Sequence, residues 1–346
     1  GGPNVQPTFR LIADGNDITK LLSARLLSLT LSDKTGQTSD TLELVLDDRD
    51  GKIELPRRGA LLDVLLGYQR QELTPMGRYK VDTVACSGPP RKLTLSGRAS
   101  DMRGEAKSGR CAAWEDVSLA YIVSELAARN GWGAHCPVQV SIARAEQLIE
   151  SDYNFITRLA KQYDCTAKVA DGQLLVLPRE SGQSASGLPI EPLVLMPMDV
   201  SSYSIRFDDR SVYKAVRTLY PDLASGGTRQ FELKNPKVPE DVTAIYTERH
   251  PYADRAAAVQ AAKSRLAALN RASASVQLQM PGRADLFAER KLRLSAFKNG
   301  LDGDYLCESV EHQFDGGGWR TSVTCNGGAD GKALAGATRP KQARGQ

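Results

Sequence analysis

The residues best suited to chemistry are the adjacent pair His135 and Cys136 and two further histidines, His250 and His312. A thiolate beside an imidazole can act as a nucleophile, but the two groups must meet in space, which adjacency in sequence does not establish. No histidine has a partner at metal-ligand spacing, and there is no HExxH motif. We therefore expect a loop histidine beside a buried thiol at 135–136. At His312 we expect a hydrogen-bonded structural histidine, with an interface role as the alternative.

Carboxylates cluster at Asp47, Asp48 and Asp50, and again at Asp208 and Asp209. The first cluster lacks the acidic residue that closes an EF-hand loop, because Gly59 occupies that position. The second precedes Arg210, as in a solvated turn. A glycosidase needs two acids across a cleft, an arrangement that the sequence leaves open. We predict no catalytic residues, no cofactor and no metal site.

Other chemical motifs are equally sparse. GxSxG is missing, and the run 316–318 of three glycines precedes Trp319 and an apparent strand, which predicts a hairpin turn instead of a phosphate loop. Six cysteines stand singly, with no CxxC pair. Because no export signal precedes them, we expect reduced, free thiols. The cysteines are Cys86, Cys111, Cys136, Cys165, Cys307 and Cys325.

The composition is that of a soluble protein with real cores. The 346 residues suit two or three domains, and 41% are hydrophobic. A net charge of +4 is too small for a dedicated nucleic-acid binder, and no apolar run is long enough to span a membrane. We expect a chain that stays in the host cytoplasm until it joins a larger assembly.

Alternating leucines predict a first β region over residues 1–104. Three runs alternate apolar with polar residues, and glycine- and proline-rich turns separate them. Short strands with turns between them favour a small antiparallel β-barrel. The runs are Leu27, Leu29 and Leu31; Leu42, Leu44 and Leu46; and Leu93 and Leu95.

Residues 105–180 predict a small α/β domain. A helical period runs from Trp114 to Arg129 and stops at Asn130-Gly131. In a second helix Ser151 is the expected N-cap, and Asp152 places negative charge in the first turn. Its apolar stripe is Ile156, Leu159, Ala160 and Tyr163, with Phe155 one turn before Leu159. An Asp171-Gly172 turn then joins two short strands.

The rest of the chain predicts a linker, a second β region and a tail. Residues 181–192 are rich in Gly, Ser and Pro, as linkers are. Residues 193–326 alternate in β style and predict a second barrel with an inserted alanine-rich helix over 252–270. Residues 327–346 contain almost nothing large and apolar, which predicts a flexible tail. The predicted fold class is mainly β, with an α+β insertion.

Two segments resemble the late control gene D family. These are Ser151–Tyr163 with the hairpin that follows, and the segment Gly303–His312. This family comprises the baseplate hub proteins of contractile phage tails and R-type pyocins, and it is related to the N-terminal hub part of VgrG. The residues that carry the resemblance or its expected local structure are Ser151, Asp152, Phe155, Leu159, Gly172, Tyr305 and His312.

The resemblance implies a structural homotrimer. In such a hub, two related barrels per subunit build a tube wall, and the small α/β domain lies at the periphery. The implied partners are a tail tube protein, a tape-measure protein, a trimeric spike, and wedge or other hub subunits. Because no β-helical repeats follow residue 326, we expect the spike to be a separate chain. Lys332 and Arg339 of the tail are the candidate spike-side contacts.

Two other functions stay open at this stage. One is a peptidoglycan hydrolase that acts during envelope penetration, with acids drawn from both β regions. The other is a peptidoglycan-binding module, since small helix–hairpin units can bind glycans. Release of muropeptides or binding to purified sacculi would support these alternatives over a hub.

Overall fold

A computed structural model of the protein describes residues 5–36, 40–99, 109–170, 172–181 and 190–332. The first β region contains β1 (Pro7–Ala13), β2 (Asn16–Asp17), α1 (Thr19–Ser23), β3 (Leu26–Lys34), β4 (Thr41–Asp47), β5 (Leu61–Tyr68), β6 (Thr74–Ser87) and β7 (Lys92–Ala99). The next residues form β8 (Arg110–Ser118), α2 (Leu119–Asn130), β9 (Gly133–His135), β10 (Ser141–Glu150), α3 (Asp152–Gln162), β11 (Cys165–Ala170) and β12 (Gln173–Pro178). The remainder forms β13 (Leu193–Leu195), β14 (Ser202–Phe207), β15 (Ala215–Pro221), β16 (Thr228–Lys234), β17 (Ile245–Thr247), α4 (Arg255–Ala272), β18 (Ala274–Pro281), β19 (Lys291–Leu294), β20 (Gly303–Asp315) and β21 (Gly318–Asn326).

Strands of both β regions share one 13-stranded sheet. Its order is β14-β18-β21-β20-β3-β4-β7-β6-β5-β1-β2, and β19 pairs with both β20 and β13. The long strand β20 joins the halves, because its residues 309–315 pair with β3 while 303–306 pair with β19. A mainly β chain with a small α/β unit is therefore confirmed. Within the described residues, however, the strand pairing closes neither region into a barrel.

The predicted leucine alternation in the first β region mostly matches burial. Leu29 and Leu31 of β3 are buried, and so are the predicted leucines of β4 and β7. Leu27 is the exception, with 40% of its surface exposed. The register of β3 against β4 shifts between Leu26 and Ser28, so Leu27 is the extra residue of a β-bulge and does not point into the core.

Residues 109–181 form the α/β unit. α2 and α3 pack with the β8–β10 pair and with the sheet β11-β12-β9. Their core contains Trp114 stacked on Phe155, with ring centroids 5.1 Å apart. The helix predicted from Trp114 starts later, at Leu119, because Trp114 belongs to strand β8. Its predicted stop is confirmed, since Gly131 caps α2 with a φ of 70°.

A second small sheet lies within the last region. Its order is β16-β15-β17, and α4 packs on it through Ala262 and Leu266. α4 runs from Arg255 to Ala272, two to three residues later than the predicted helix over 252–270. Asp254 explains the start, because its side chain accepts a hydrogen bond of 2.8 Å from the Ala257 amide.

The first residues of the predicted flexible tail, 327–332, are held in place by hydrogen bonds, and residues 333–346 lie outside the described residues. Asn270 donates to the Ala329 carbonyl at 2.7 Å, and the Lys332 amide donates to the Ser273 hydroxyl at 2.7 Å. The amide of Ala329 also donates to the Glu180 carboxylate. Residues 327–332 are therefore ordered against the end of α4, which composition could not reveal because backbone groups make these contacts. Most of the predicted linker, residues 182–189, lies outside the described residues.

Candidate functional site

The motif helix α3 is capped as its sequence predicts. The Ser151 hydroxyl accepts a hydrogen bond of 3.1 Å from the Asn154 amide. Phe155 and Leu159 are buried in the core of the α/β unit, with 0% and 2% of their surfaces exposed. Gly172, the last residue of the β11–β12 hairpin turn, has a φ of 70°. Its predicted turn partner, Asp171, lies outside the described residues.

Asp152 does more than complement a helix dipole. Its carboxylate is 2% exposed and accepts three hydrogen bonds. Arg129 donates at 3.0 Å and Gln147 at 2.8 Å to Oδ1, and Asn130 donates at 2.9 Å to Oδ2. The donors come from the end of α2 and from β10, so this side chain joins three elements. These partners could not be predicted from residue types, because polar residues of this kind are usually exposed.

The two predicted residues of the final hairpin are both buried. The Tyr305 hydroxyl donates to the Leu301 carbonyl at 2.6 Å, and burial raises the pKa of this phenol to about 12. His312 Nδ1 lies 3.0 Å from the Thr321 hydroxyl and 3.3 Å from Trp319 Nε1. Burial lowers the pKa of His312 to about 4, so the imidazole is neutral at pH 7. These contacts fit a structural histidine.

A half-buried ion cluster joins the α/β unit to the first β region. Lys168 Nζ of β11 lies 2.9 Å from Asp33 Oδ1 and 2.8 Å from Asp40 Oδ1. Burial disfavours ionisation of Asp33, but the charge of Lys168 outweighs it and lowers the pKa of Asp33. Burial and the charge of Asp33 raise the pKa of Asp40 to about 6. One shared ammonium thus holds one ionised carboxylate and one that is readily protonated.

This cluster extends to the second β region. The second oxygen of Asp33 accepts a hydrogen bond of 3.0 Å from the Ala288 amide. The neighbouring Glu289 accepts from Thr35 of the first region at 2.9 Å, from Arg179 at 3.2 Å and from the Glu180 amide at 3.0 Å. We call Asp33, Asp40, Lys168, Arg179 and Glu289 the junction cluster, because they connect all three regions.

A second ion pair, formed by a buried arginine, reinforces the same junction. Arg271, at the end of α4, binds Asp164 of the α/β unit through two bonds of 2.7 and 3.1 Å. Only 5% of the Arg271 side chain is exposed. Such two-point arginine–carboxylate contacts fix orientation as well as distance. The residues in these junctions are far apart in the sequence, 135 positions for Lys168 and Asp33, so spacing could not predict them.

The residues weighed for catalysis lie apart from this junction. Asp50 forms a two-point ion pair with Arg25, which lowers its pKa to about 2, and Asp48 accepts from the Ile53 amide. Asp208 accepts from the Arg210 amide in a short 3-10 turn. His135 ends the short strand β9 instead of lying in a loop, and Cys136 beside it is half-buried instead of buried, so both expectations for this pair are wrong. Over the described ranges, no three His, Cys, Asp or Glu side chains are grouped so that they could hold a metal ion.

The two tail residues differ in what the structure describes. Lys332 Nζ lies 4.5 Å from the centre of the Tyr305 ring, and burial lowers the pKa of this amine. Its charge is thus engaged within the chain. Arg339 lies outside the described residues. Among the described helices, none has the length and apolar character needed to cross a bilayer.

Known proteins resemble this chain over most of its length. Residues 81–318 match the profile of a family described as phage tail baseplate hub. A curated protein of Escherichia phage 186, named probable baseplate hub protein, is 32% identical, with 93% of each chain covered. A 43 kDa tail protein of prophage MuSo2 from Shewanella oneidensis shares the fold with a TM-score of 0.71 at 16% identity, covering 94% of this chain and 100% of its own.

The fold also extends to secretion machinery. A component of the type VI secretion system of E. coli superposes with a TM-score of 0.53 at 11% identity, covering 89% of this chain and 75% of its own. At this identity the likeness concerns the fold alone.

Proposed function

Since this chain belongs to the phage tail baseplate hub family, we propose that three copies form a ring that joins the sixfold tail tube to a threefold spike. The chain is a structural baseplate hub of a phage tail, and its family and curated relatives are structural proteins and not enzymes. The ring, its symmetry and its partners are the parts that we propose.

The continuous sheet is the observation that carries this proposal. Two β regions in one sheet, linked through β20 and β3, give each subunit two wall segments held in fixed relation. Three such subunits present six segments, which is the number that a sixfold tube end requires. The sheet also ends on an open strand, because among the described strands β14 pairs only with β18. An open edge offers backbone groups to a neighbouring copy.

The division of the chain supports distinct partners for its parts. We infer that one face of the ring meets the tail tube and the tape-measure protein, and that the opposite face holds a separate trimeric spike. The α/β unit, with its own core, would lie outside the ring and meet wedge or other hub subunits. We retain the predicted boundaries 1–104, 105–180 and 193–326 for these parts. A hub of this kind serves a phage tail or a pyocin, and we infer that its subunits gather in the host cytoplasm before assembly.

The tail fits a contact that tunes spike binding. The segment 327–332 is anchored on α4 and on Tyr305 of the final hairpin, so it fixes where the following residues emerge. We infer that this end of the ring faces the spike, with Arg339 as the remaining candidate contact. Deleting residues 333–346 should leave the trimer intact and weaken spike capture only in part. Loss of the trimer itself would contradict this placement.

No observation on the described residues or from the relatives favours the peptidoglycan alternatives. A separate zymogram would detect any activity of that kind, and clearing of peptidoglycan by the purified chain would revive them.

Light scattering of the purified chain, alone and with the spike, tests the ring. We expect a trimer, either alone at micromolar concentration or once the spike is added. Tyr203 of β14 is half exposed. The Asp208 amide donates to the Ser273 carbonyl, and in an antiparallel pair every second residue bonds to the neighbouring strand. Counting back from Asp208, the Tyr203 amide points away from β18, toward the open edge. Tyr203→Pro should therefore weaken the trimer, whereas Tyr203→Thr, which keeps the amide, should not. A monomer that persists with the spike would overturn the proposal.

A further inference from the structure

Two of the free cysteines face each other across the final hairpin. Cys307 of β20 and Cys325 of β21 are register partners, and both side chains lie in the hydrophobic core of the second β region. Both are buried, with 0% and 1% of their surfaces exposed. No other cysteine is placed in this way among the paired strands described. Cys136 and Cys165, for example, lie on either side of the intervening strand β12.

The backbone at Cys307 brings this pair especially close. Its amide donates to the Arg290 carbonyl at 2.8 Å, and its carbonyl accepts from the Glu289 amide at 2.7 Å. Because the amide and carbonyl of one strand residue point to the same side, Cys307 makes no ladder bond toward Cys325. In a regular ladder, directly opposed residues of this non-hydrogen-bonded kind have Cα atoms about 4.5 Å apart, and in this hairpin the register shifts only after the pair, between Cys307 and Ser309. That separation lies within the range of about 4.4–6.8 Å found for disulfides.

We propose that Cys307 and Cys325 form a modification site, where a small-molecule disulfide oxidises the two thiols to a cross-strand disulfide. In the first step one thiolate attacks oxidised glutathione, which forms a mixed disulfide and releases one glutathione thiolate. The second cysteine then attacks the protein sulfur, closes the Cys307–Cys325 bond and releases the second glutathione. Two thiols lose two protons and two electrons, and one glutathione disulfide becomes two thiols.

The location of the pair gives the bond a consequence. β20 is the strand that connects the two β regions, and Cys307 itself contacts the backbone of Glu289 in the junction cluster. A disulfide bond to β21 would fix the register of β20 between the core of the second β region and the junction cluster. Because both sulfurs are buried, the oxidant reaches them only when the hairpin opens locally. Oxidation should therefore be slow, and the bond once formed should resist reduction.

Peptide mapping of the full-length chain tests this site. The reduced protein is incubated with oxidised glutathione until the exposed Cys86 and Cys111 have fully reacted, then refolded from urea in the same buffer. Free thiols are alkylated without reductant and the digest is analysed by mass spectrometry. We expect one linked peptide pair, containing Cys307 and Cys325. Oxidation should raise the Tm by roughly 5 °C.

Matched variants separate this result from general thiol chemistry. Cys307→Ala should abolish both the linked pair and the rise in Tm, whereas Cys165→Ala, another buried thiol, should leave both unchanged. The proposal is overturned if Cys307 and Cys325 both remain alkylable after refolding, or if either one links to a different cysteine. A linked pair with no rise in Tm would refute the stabilising role while leaving the site itself supported.

Discussion

Removing the Asp152 carboxylate should unfold the α/β unit more readily than any surface change in the same unit. Asp152→Ala takes one acceptor group away from Arg129, Asn130 and Gln147 together. Water cannot replace it, because the site is 2% exposed. The arginine would keep its charge beside an apolar side chain, with only part of its surface open to solvent.

The size of the effect follows from these contacts. Hydrogen bonds to a charged group contribute about 1.5–3 kcal/mol each, but three bonds to one carboxylate are not additive. Breaking a buried charge pair by removing one partner costs about 3–5 kcal/mol. We expect Asp152→Ala to lower the free energy of unfolding of this unit by about that amount. A urea titration measures it, and hydrogen exchange of peptides from α2 and α3 localises it.

Two further variants make the experiment decisive. Glu115→Ala removes an ion pair of the same unit, to Arg144, in which both side chains are more than 60% exposed, and it should have little effect. Asp152→Asn keeps the shape of the side chain, but its amide has one acceptor oxygen and one donor NH2 group where three donors converge. Its stability should therefore resemble that of the alanine variant. If Asp152→Ala and Glu115→Ala unfold at the same urea concentration, the three-element network does not stabilise the unit.

Four further changes test other parts of the structure. Leu159→Ala should cost about 2–5 kcal/mol in a urea titration, because the side chain is fully packed, and wild-type stability would show that this face is not the core. Gly172→Val should cost roughly 1–3 kcal/mol by the same measurement, because a β-branched residue is strained at a φ of 70°, and an unchanged midpoint would refute this. His312 titrates at about 4 when folded and near 6.5 when unfolded, so its contribution is present above pH 6.5 and is lost, by up to about 3 kcal/mol, as the pH falls toward 4. His312→Gln should flatten the Tm profile in that window, and a profile like that of the wild type would contradict the assignment. Asp40 acts in the opposite sense: its folded pKa of about 6 exceeds the ordinary 3.8, so its contribution is present below pH 3.8 and is lost as the pH rises through 6. In Asp40→Asn that loss should disappear from the Tm profile, and its persistence would place the titration on another group.

Features set by neighbouring residues could be predicted from the sequence. The N-cap at Ser151 and the stop at Gly131 depend on contacts within one turn, so residue types alone reveal them. The alternating leucines identify buried strand faces for the same reason. A local irregularity is still missed, because the bulge at Leu27 turns this side chain away from the core without changing the apolar–polar alternation of the sequence.

Features set by distant residues could not be predicted in this way. Nothing near Lys168 indicates that it binds Asp33 and Asp40, and nothing near β20 indicates that it pairs with β3 of the other β region. The segment 327–332 shows the same limit, since its low apolar content is typical of a flexible tail while its backbone groups bind α4. The local patterns did predict the order of the regions, and the family resemblance added the expected assembly, which no local pattern indicates.

Electron cryo-microscopy of the assembled tail tests the central claim most directly. A reconstruction at the tube end, calculated with threefold symmetry, should show three copies of this chain between the last tube ring and the spike. Each copy should place its two β regions in the wall, with the α/β unit at the periphery. Six copies in that ring, or density for this chain at a site away from the tube–spike joint, would contradict the account.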